Sequence, residues 1–187
     1  MRFQVLIGLG ISADSKILDF GCGLGDLLAY LRRETGFRGE YVGYELSPAI
    51  LQEARRKYGD DRRARFEERD IFIDPPEETF DYALVSGPFN TKFADSESYL
   101  YRALRILFGA VRKGLSFNLM SAYVDTFDPT LFYTDPEAVF RFCKEELSPA
   151  VTLRHDYMLK ENVVPYEYNV YVHRVGISPR LKKSLAV

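Results

Sequence analysis

The chain has 187 residues, of which 47% are hydrophobic and 28% charged, and its formal net charge at pH 7 is -2. This composition is typical of a globular protein, and the charge balance gives no reason to expect a nucleic-acid partner. No apolar run reaches the roughly 20 residues of a membrane span, which excludes that class and predicts a soluble protein. We expect one domain over residues 1–187, because this length suffices for a single core.

The two cysteines have neither the spacing of a zinc site nor that of a disulfide framework. Cys22 lies in a glycine-rich turn and Cys143 in an apparent amphipathic helix. Their pattern therefore predicts reduced thiols, a cytoplasmic location and no metal site. Local basic clusters, including one in the tail at 179–184, are interpreted as solvated surface.

Strand-like and helix-like hydrophobic patterns alternate through the first two thirds of the chain. This alternation is typical of a mostly parallel sheet covered by helices. The predicted strands are 16–20, 40–46, 64–70, 80–87 and 115–124. The predicted helices between them are 25–36, 48–59 and 98–114.

The last third of the chain has a different pattern. A helix is predicted over 136–147, and the segments 150–159 and 166–175 are predicted to form an antiparallel pair of strands. Five parallel strands with this closing pair give a doubly wound α/β sheet of seven strands. We therefore predict one compact sheet with helices on both faces.

A glycine-rich turn, LDFGCGLGD at 18–26, follows the first predicted strand. Such a turn lets the backbone approach a bound cofactor closely. A dinucleotide site needs the spacing G-x-G-x-x-G, but here the third glycine comes one position early and Asp26 stands in its place. Because a carboxylate there would oppose a phosphate, the turn favours a cofactor without one, and a nicotinamide-dependent oxidoreductase is the weaker alternative.

An acidic residue followed by x-Gly-x-Gly-x-Gly resembles motif I of the class I S-adenosylmethionine-dependent methyltransferases. Their cofactor carries an ammonium and a sulfonium group, which suit a neighbouring carboxylate. The resemblance implies a Rossmann-like methyltransferase sheet and S-adenosyl-L-methionine as the cofactor. It also implies that the cofactor turn is formed by Asp19, Gly21, Cys22, Gly23 and Gly25.

Residues at the ends of later strands match further cofactor contacts of that family. The acid at the end of the second strand is placed to accept the ribose hydroxyl protons. The end of the third strand matches the adenine contacts, and the end of the fourth matches those of the methionine part. In this order the residues are Glu45 with Leu46, Asp70 with Ile71, and Ser86 with Gly87.

The resemblance covers nearly the whole chain, with one departure at its start. Only about fifteen residues precede Lys16, so we expect the family's N-terminal cover helices to be short or missing. The last third resembles a bacterial subgroup of the family in which the acceptor substrate is not assigned.

The segment SGPFN at 86–90 partly matches the Asp/Asn/Ser-Pro-Pro-Tyr/Phe motif of amino-methylating enzymes. Gly87 stands where the motif has its first proline, which stiffens the loop. We therefore favour a small-molecule or sugar-type acceptor. The alternatives are amino-group methylation of a nucleobase or protein side chain, and a non-catalytic subunit that binds S-adenosylmethionine.

The sequence contains no acceptor signature that identifies a general base. Possible general bases are Tyr123, Asp125 and His155, with His173 a weaker one. Asn90 follows the fourth strand and is a candidate acceptor contact that completes the set of catalytic candidates. The sequence leaves the oligomeric state open.

Overall fold

The computed structural model describes residues 1–160 and 164–176. The basic tail at 179–184 lies outside these residues. The strands are β1 Ile17–Phe20, β2 Tyr41–Glu45, β3 Ala64–Glu68, β4 Phe80–Val85, β5 Val111–Ser121, β6 Tyr133–Thr134, β7 Val151–Arg154 and β8 Glu167–His173. The helices are α1 Arg2–Leu6, α2 Asp26–Glu34, α3 Pro48–Tyr58, α4 Ser96–Gly109 and α5 Pro136–Phe142.

The main sheet runs in the order β3-β2-β1-β4-β5-β8-β7. Strands β1 to β5 pair in parallel, whereas β8 is antiparallel to both β5 and β7. The predicted doubly wound sheet with a closing antiparallel pair is therefore confirmed. In such a sheet ligands bind at the carboxyl ends of the strands, where the strand order reverses between β1 and β4.

The central strands are buried on both faces, as parallel strands covered by helices should be. Ile17 packs on one face against side chains of α2 and α3, including Leu28 and Leu51. Leu18 packs on the other face in the cluster that contains Leu104 of α4. Neighbouring residues of one strand thus fill two separate layers of the core.

One strand was not predicted from the sequence. The two-residue strand β6 pairs in parallel with Met120 and Ser121 at the end of β5. Because Met120 also pairs with Glu167 of β8, β6 must lie along the opposite edge of β5, beyond the end of β4. Two residues are too short to show strand periodicity.

The predicted boundary between α4 and β5 was wrong by several residues. Helix α4 ends at Gly109, and residues 111–114 belong to β5. Arg112 and Lys113 suggested the basic last turn of a helix, but both form ion pairs with Asp81. The predicted strands 64–70 and 150–159 are also shorter, since residues after Glu68 and Arg154 leave the sheet.

The first nine residues form α1 and a 3-10 turn that pack on the face of β5 and β8. The Arg2 guanidinium lies 2.9 Å from a carboxylate oxygen of the buried Glu167. The Tyr171 hydroxyl donates a hydrogen bond to the carbonyl of Val5. This segment therefore covers the antiparallel end of the sheet. Among the described residues, no helix has the length and apolar character needed to cross a membrane.

The buried carboxylate of Asp81 connects three strands at the amino edge of the sheet. It accepts hydrogen bonds from the Lys16 backbone N–H at 2.9 Å and from Arg112 at 2.8 Å, and Lys113 lies 3.1 Å away. Burial opposes ionisation, but these donors together lower the pKa of Asp81 to about 2.

We expect Asp81→Asn to lower the free energy of unfolding at pH 7 by about 1–3 kcal/mol, because charge-assisted hydrogen bonds are lost. The wild-type carboxylate stabilises the fold fully at pH values above about 3.9, the pKa of an aspartate in the unfolded chain. This stabilisation is lost as the pH falls towards 2. The difference between wild type and variant, measured by urea unfolding, should therefore shrink over that interval. Asp156→Asn, at an exposed ion pair, is the control and should cost much less than Asp81→Asn. Equal losses in both variants would contradict this assignment.

Candidate active site

The glycine turn between β1 and α2 has three residues in the left-handed region. Gly21, Gly23 and Gly25 have φ values of 71°, 54° and 79°. A Cβ added to Gly21 would lie 2.1 Å from Cγ of Pro88. Only glycine therefore permits both this backbone conformation and the close contact with the loop after β4.

A cavity of about 270 Å³ opens at the carboxyl ends of β1, β2 and β4, and we call it the β1 cavity. Its lining includes residues that were predicted to bind the cofactor, and these are Gly21, Glu45, Leu46, Ser86 and Gly87. The remaining lining residues are Phe20, Tyr44, Arg69, Pro88 and Tyr99. The structure thus gathers the ends of several strands around one cavity at the switch point of the sheet.

The Glu45 carboxylate is fixed at the edge of this cavity by three backbone N–H groups. One oxygen accepts from Leu46 and Ser47, both at 2.9 Å, and the other accepts from Gly23 at 3.1 Å. The carboxylate therefore joins the end of β2 to the glycine turn. Because a carboxylate offers about four lone-pair positions, it retains capacity to accept ligand hydroxyls.

A smaller cavity of about 40 Å³ adjoins the β1 cavity near the end of β3, and we call it the β3 lobe. It is lined by Asp70 and Ile71, both predicted to contact adenine, together with the ring of Phe72. Asp70 accepts a hydrogen bond from the Phe72 backbone N–H at 2.9 Å. The Tyr99 ring packs 4.9 Å from that of Phe72 and lines both cavities.

Tyr99 and Arg69 are among the lining residues that the sequence analysis did not predict. Tyr99 lies in the first turns of α4, far in sequence from the strand ends, and no spacing rule connects it to them. Arg69 directly precedes Asp70, so its position at a strand end was a usable signal. Its guanidinium lies 5.1 Å from the Tyr44 ring and within 3.4 Å of carboxylate oxygens of Glu67 and Asp74.

Four predicted cofactor residues, Asp19, Cys22, Gly23 and Gly25, do not line either cavity. Asp19 is 2% exposed, and the Tyr41 hydroxyl donates a 2.5 Å hydrogen bond to its carboxylate. Side chains alternate along β1, so Phe20 faces the cavity and Asp19 faces the opposite layer. Cys22 is also buried, where its sulfur packs against Gly43. The side chains of Asp19 and Cys22 therefore lie on the side of the glycine turn that faces away from the β1 cavity.

Burial raises the pKa of Asp19 to about 7, with the neighbouring Glu45 adding to the rise and the Tyr41 hydroxyl opposing it. Burial likewise raises the pKa of the Cys22 thiol. Both groups therefore favour their neutral forms more than they would in water.

A separate cavity of about 490 Å³ opens beyond the end of β5, and we call it the β5 cavity. It is lined by Met120, Val124, Asp125, Thr126, Tyr133, Lys160, Val164 and Tyr166. In the order of the strands, the 86–90 loop and β6 lie between this cavity and the β1 cavity. Among the catalytic candidates Asn90, Tyr123, Asp125 and His155, Asp125 is the one that lines it.

The other three catalytic candidates do not line the β5 cavity, although the rings of Tyr123 and His155 lie 6.2 Å apart. The exposed Tyr123 donates a hydrogen bond to Glu137 at 2.8 Å. His155 Nε2 lies 2.8 Å from the Pro165 carbonyl oxygen. The backbone carbonyl of Asn90 accepts a hydrogen bond from the Phe132 N–H. The side-chain Oδ1 of Asn90 is buried and has no hydrogen-bond partner among the described residues.

The 86–90 loop forms a tight turn in which Asn90 N–H donates to the Gly87 carbonyl at 2.9 Å. Gly87 has a φ of 103°, and Phe89 is 2% exposed in the core. The Ser86 hydroxyl accepts a hydrogen bond from Asn118 Nδ2 at 3.1 Å. The loop is therefore anchored at both ends.

A larger cavity of about 570 Å³ lies at the opposite, amino edge of the sheet and includes Arg62, Arg63 and Arg65. Its charges are mixed, because Asp14 and Glu40 also line it. It contains none of the predicted cofactor residues, so volume alone does not identify the site. Within residues 1–160 and 164–176, no three His, Cys, Asp or Glu side chains are grouped so that they could hold a metal ion.

The raised pKa of Asp19 predicts a pH dependence of stability. The folded state holds the proton more tightly than the unfolded chain, whose aspartate pKa is about 3.9, so stability falls as the pH rises from about 4 through about 7. Between pH 5 and pH 8, wild type should lose about 2–3 kcal/mol through this group. Asp19→Asn, which keeps an acceptor for Tyr41, should remove that loss. Urea unfolding at both pH values tests this, and parallel pH profiles of wild type and variant would contradict it.

Comparison with known proteins gives a consistent result. The family model described as a methyltransferase domain matches residues 17–109. The Mycobacterium tuberculosis protein named "Putative methyltransferase Rv1506c" is 35% identical over 167 residues, which are 86% of this chain and 94% of that protein.

Two solved structures show the same fold at low sequence identity. Magnesium protoporphyrin IX methyltransferase from Synechocystis, solved with bound SAH, is 13% identical with a TM-score of 0.70, over 93% of this chain and 80% of that one. A SAM-dependent methyltransferase from Aquifex aeolicus is 18% identical with a TM-score of 0.63, over 92% and 88%. The glycine turn, the order of the strands, the matching family model and the relative of similar length all point to one family. The chain belongs to the class I S-adenosylmethionine-dependent methyltransferases.

Proposed function

We propose that this methyltransferase acts on a hydroxyl-bearing small-molecule or sugar-type acceptor that enters through the β5 cavity. The observation that carries this proposal is the conformation of the 86–90 loop, which differs from what amino methylation requires. S-adenosylmethionine supplies an electrophilic methyl group. The chain's own residues bind and orient the two substrates, exclude water and accept the acceptor's proton.

The β1 cavity and the β3 lobe fit the methyl donor. A Cβ added to Gly23 would meet no atom within 4 Å, so open space borders the glycine turn beside the Glu45 carboxylate. We place the ribose hydroxyls at Glu45 and the adenine at the border of the β1 cavity and the β3 lobe, near Asp70 and Ile71. The methionine part then lies along the backbone of the glycine turn and the 86–90 loop. Asp19 acts from behind the turn, without direct contact.

The 86–90 loop argues against methylation of an amino group on a nucleobase. The amino-methylating motif has proline where this chain has Gly87, and proline fixes φ near −65°. Gly87 has a φ of 103°, which proline cannot adopt. Phe89, which would have to stack on the base, is buried in the core. The Ser86 hydroxyl is also engaged, by Asn118.

The β5 cavity has the chemistry of a site for a polyhydroxylated acceptor. Tyr133 and Tyr166 offer apolar ring surface with polar edges, and Lys160 adds a hydrogen-bond donor. Asp125 is an exposed carboxylate at the same cavity. We assign it the role of general base towards the acceptor hydroxyl, because a carboxylate can both accept that hydrogen bond and take the proton.

Glu45→Gln should weaken binding of S-adenosylhomocysteine about tenfold to a hundredfold, because a neutral amide replaces a charged acceptor of hydrogen bonds. Isothermal titration calorimetry in the presence of a metal chelator measures this. Glu68→Gln is the matched control, since Glu68 is exposed and pairs with Glu45 in the strand register. Equal affinity of the Glu45 variant and wild type would remove Glu45 from the donor site.

Asp125→Asn should lower the rate of methyl transfer at least about tenfold and leave the binding of S-adenosylhomocysteine unchanged. The variant loses only the general base that takes the proton of the substrate hydroxyl. The assay follows a labelled methyl group from S-adenosylmethionine onto a panel of monosaccharides and sugar phosphates. Asp95→Asn, in an exposed loop at the same edge, is the control. Transfer to amino-bearing acceptors instead would overturn the proposed acceptor class. Donor binding without any transfer would favour the non-catalytic alternative.

A further inference from the structure

The side chains of Ser86 and Asn118 form a polar pair at the end of β4. Asn118 lies on β5 and is 1% exposed, and its Nδ2 donates a hydrogen bond to the Ser86 hydroxyl at 3.1 Å. Ser86 is half-buried and lines the β1 cavity, whereas Asn118 lines neither that cavity nor the β5 cavity. A buried amide therefore fixes the orientation of a hydroxyl at the donor site.

The hydrogen bond between these two side chains leaves the Ser86 hydroxyl able to donate. A serine hydroxyl carries one proton and two lone pairs, and one lone pair of Ser86 accepts from Asn118. The proton is not used in this contact, so it can be given to a ligand in the β1 cavity. The bond from Asn118 also polarises the hydroxyl, which strengthens the bond that Ser86 donates in turn.

The amide of Asn118 has a partner at one end only. Its Oδ1 is buried and has no hydrogen-bond partner among the described residues. A buried acceptor without a partner lowers stability, and a leucine of similar size would avoid that loss. The stability of the fold therefore does not explain an amide at this position, whereas its contact with Ser86 does.

The amino-acid end of S-adenosylmethionine brings a carboxylate into a site that is already acidic. Glu45 lines the β1 cavity, and Asp19 is buried behind the glycine turn. Neither carboxylate can stabilise a second anion nearby, since like charges repel. The carboxylate of the ligand therefore needs hydrogen-bond donors from other parts of the cavity wall.

The glycine turn uses most of its backbone amides within the protein. The N–H groups of Gly21 and Cys22 both donate to the Tyr44 carbonyl, at 2.8 Å and 3.0 Å. Those of Gly23 and Gly25 also have partners in the chain. This turn thus differs from glycine turns that hold a phosphate on free N–H groups. These four amides are not available to the ligand carboxylate.

Among the described residues that line the β1 cavity, three other side chains can donate a hydrogen bond, but they lie towards β2 and β3. They are Tyr44 on β2, Arg69 after β3, and Tyr99, whose ring packs on Phe72 beside the β3 lobe. Arg69 also lies within 3.4 Å of two carboxylate oxygens. On the β4 side, where we place the methionine part, the side-chain donor is Ser86.

We infer that Ser86 binds the carboxylate of the methyl donor and that Asn118 is the positioning residue that keeps the Ser86 hydroxyl directed at it. This inference rests on the proposed placement of the donor and makes it more specific. It assigns recognition of the amino-acid end to a side chain after β4, separate from the ribose contact at Glu45. The site should therefore distinguish the complete donor from a form that lacks the carboxylate.

The test compares two ligands by isothermal titration calorimetry. One is S-adenosylhomocysteine, and the other is its decarboxylated form, which keeps the ammonium group. Ser86→Ala should weaken binding of S-adenosylhomocysteine about tenfold, because a hydrogen bond to a charged group is lost. Binding of the decarboxylated ligand should be unchanged. Ser116→Ala is the matched control, since Ser116 is buried on β5 and is hydrogen-bonded to Asn169 instead.

A variant of Asn118 tests the positioning role. Asn118→Leu should weaken binding of S-adenosylhomocysteine about threefold to tenfold and should have no further effect in Ser86→Ala, because it acts through that hydroxyl. Its free energy of unfolding in urea should not fall, since the variant also removes the unpaired Oδ1. A purely structural role predicts the opposite, a loss of stability with equal effects on both ligands.

Several outcomes would overturn the inference. They are unchanged affinity of Ser86→Ala for S-adenosylhomocysteine, an equal loss for both ligands, or effects of Ser86→Ala and Asn118→Leu that add. Slower methyl transfer with unchanged donor binding would assign Ser86 to the acceptor instead. If Glu45→Gln weakens donor binding and Ser86→Ala does not, the proposed donor site stands and this inference fails. If neither variant weakens it, the placement of the donor fails as well.

Discussion

The close approach of Gly21 to Pro88 is the contact on which the geometry of the active site depends. A Cβ on Gly21 would overlap the proline ring, so the turn after β1 and the loop after β4 meet only because residue 21 has no side chain. These two segments flank the point where the strand order reverses. Their separation determines the width of the β1 cavity. The Glu45 carboxylate then fixes the other side, through its hydrogen bond to Gly23.

The alternation of side chains along β1 divides the polar groups of the site between two environments. Phe20 lines the β1 cavity, while Asp19 lies in the opposite layer with Tyr41. A carboxylate buried behind the turn acts on a cation through a medium of low dielectric constant, where charge interactions are stronger than in water. Its raised pKa is the cost of that position. Binding of a cationic donor would favour the ionised form.

The sequence predicted the sheet and the edge that holds the site, because periodicity and glycine spacing are local signals. Glu45 and Asp70 were predicted as site residues because Glu45 ends β2 and Asp70 follows β3 by two residues, and each lines one of the two cavities. The burial of Asp19 could not be predicted, because the motif gives its position along β1 but not the layer its side chain enters. Tyr99 comes from a helix and reaches the cavity through tertiary packing alone. Strand β6 forms because β5 extends past β4 and leaves an unpaired edge.

The proposal of a hydroxyl-bearing acceptor rests on features that a linear motif does not record. Ser86 and Phe89 have the residue types of an amino-methylating loop, yet one is engaged by Asn118 and the other is buried. The backbone at Gly87 explains both, since a positive φ redirects the chain after β4. The conformation of this loop thus depends on a single glycine. A change from glycine to proline at position 87 would alter the whole wall between the two cavities.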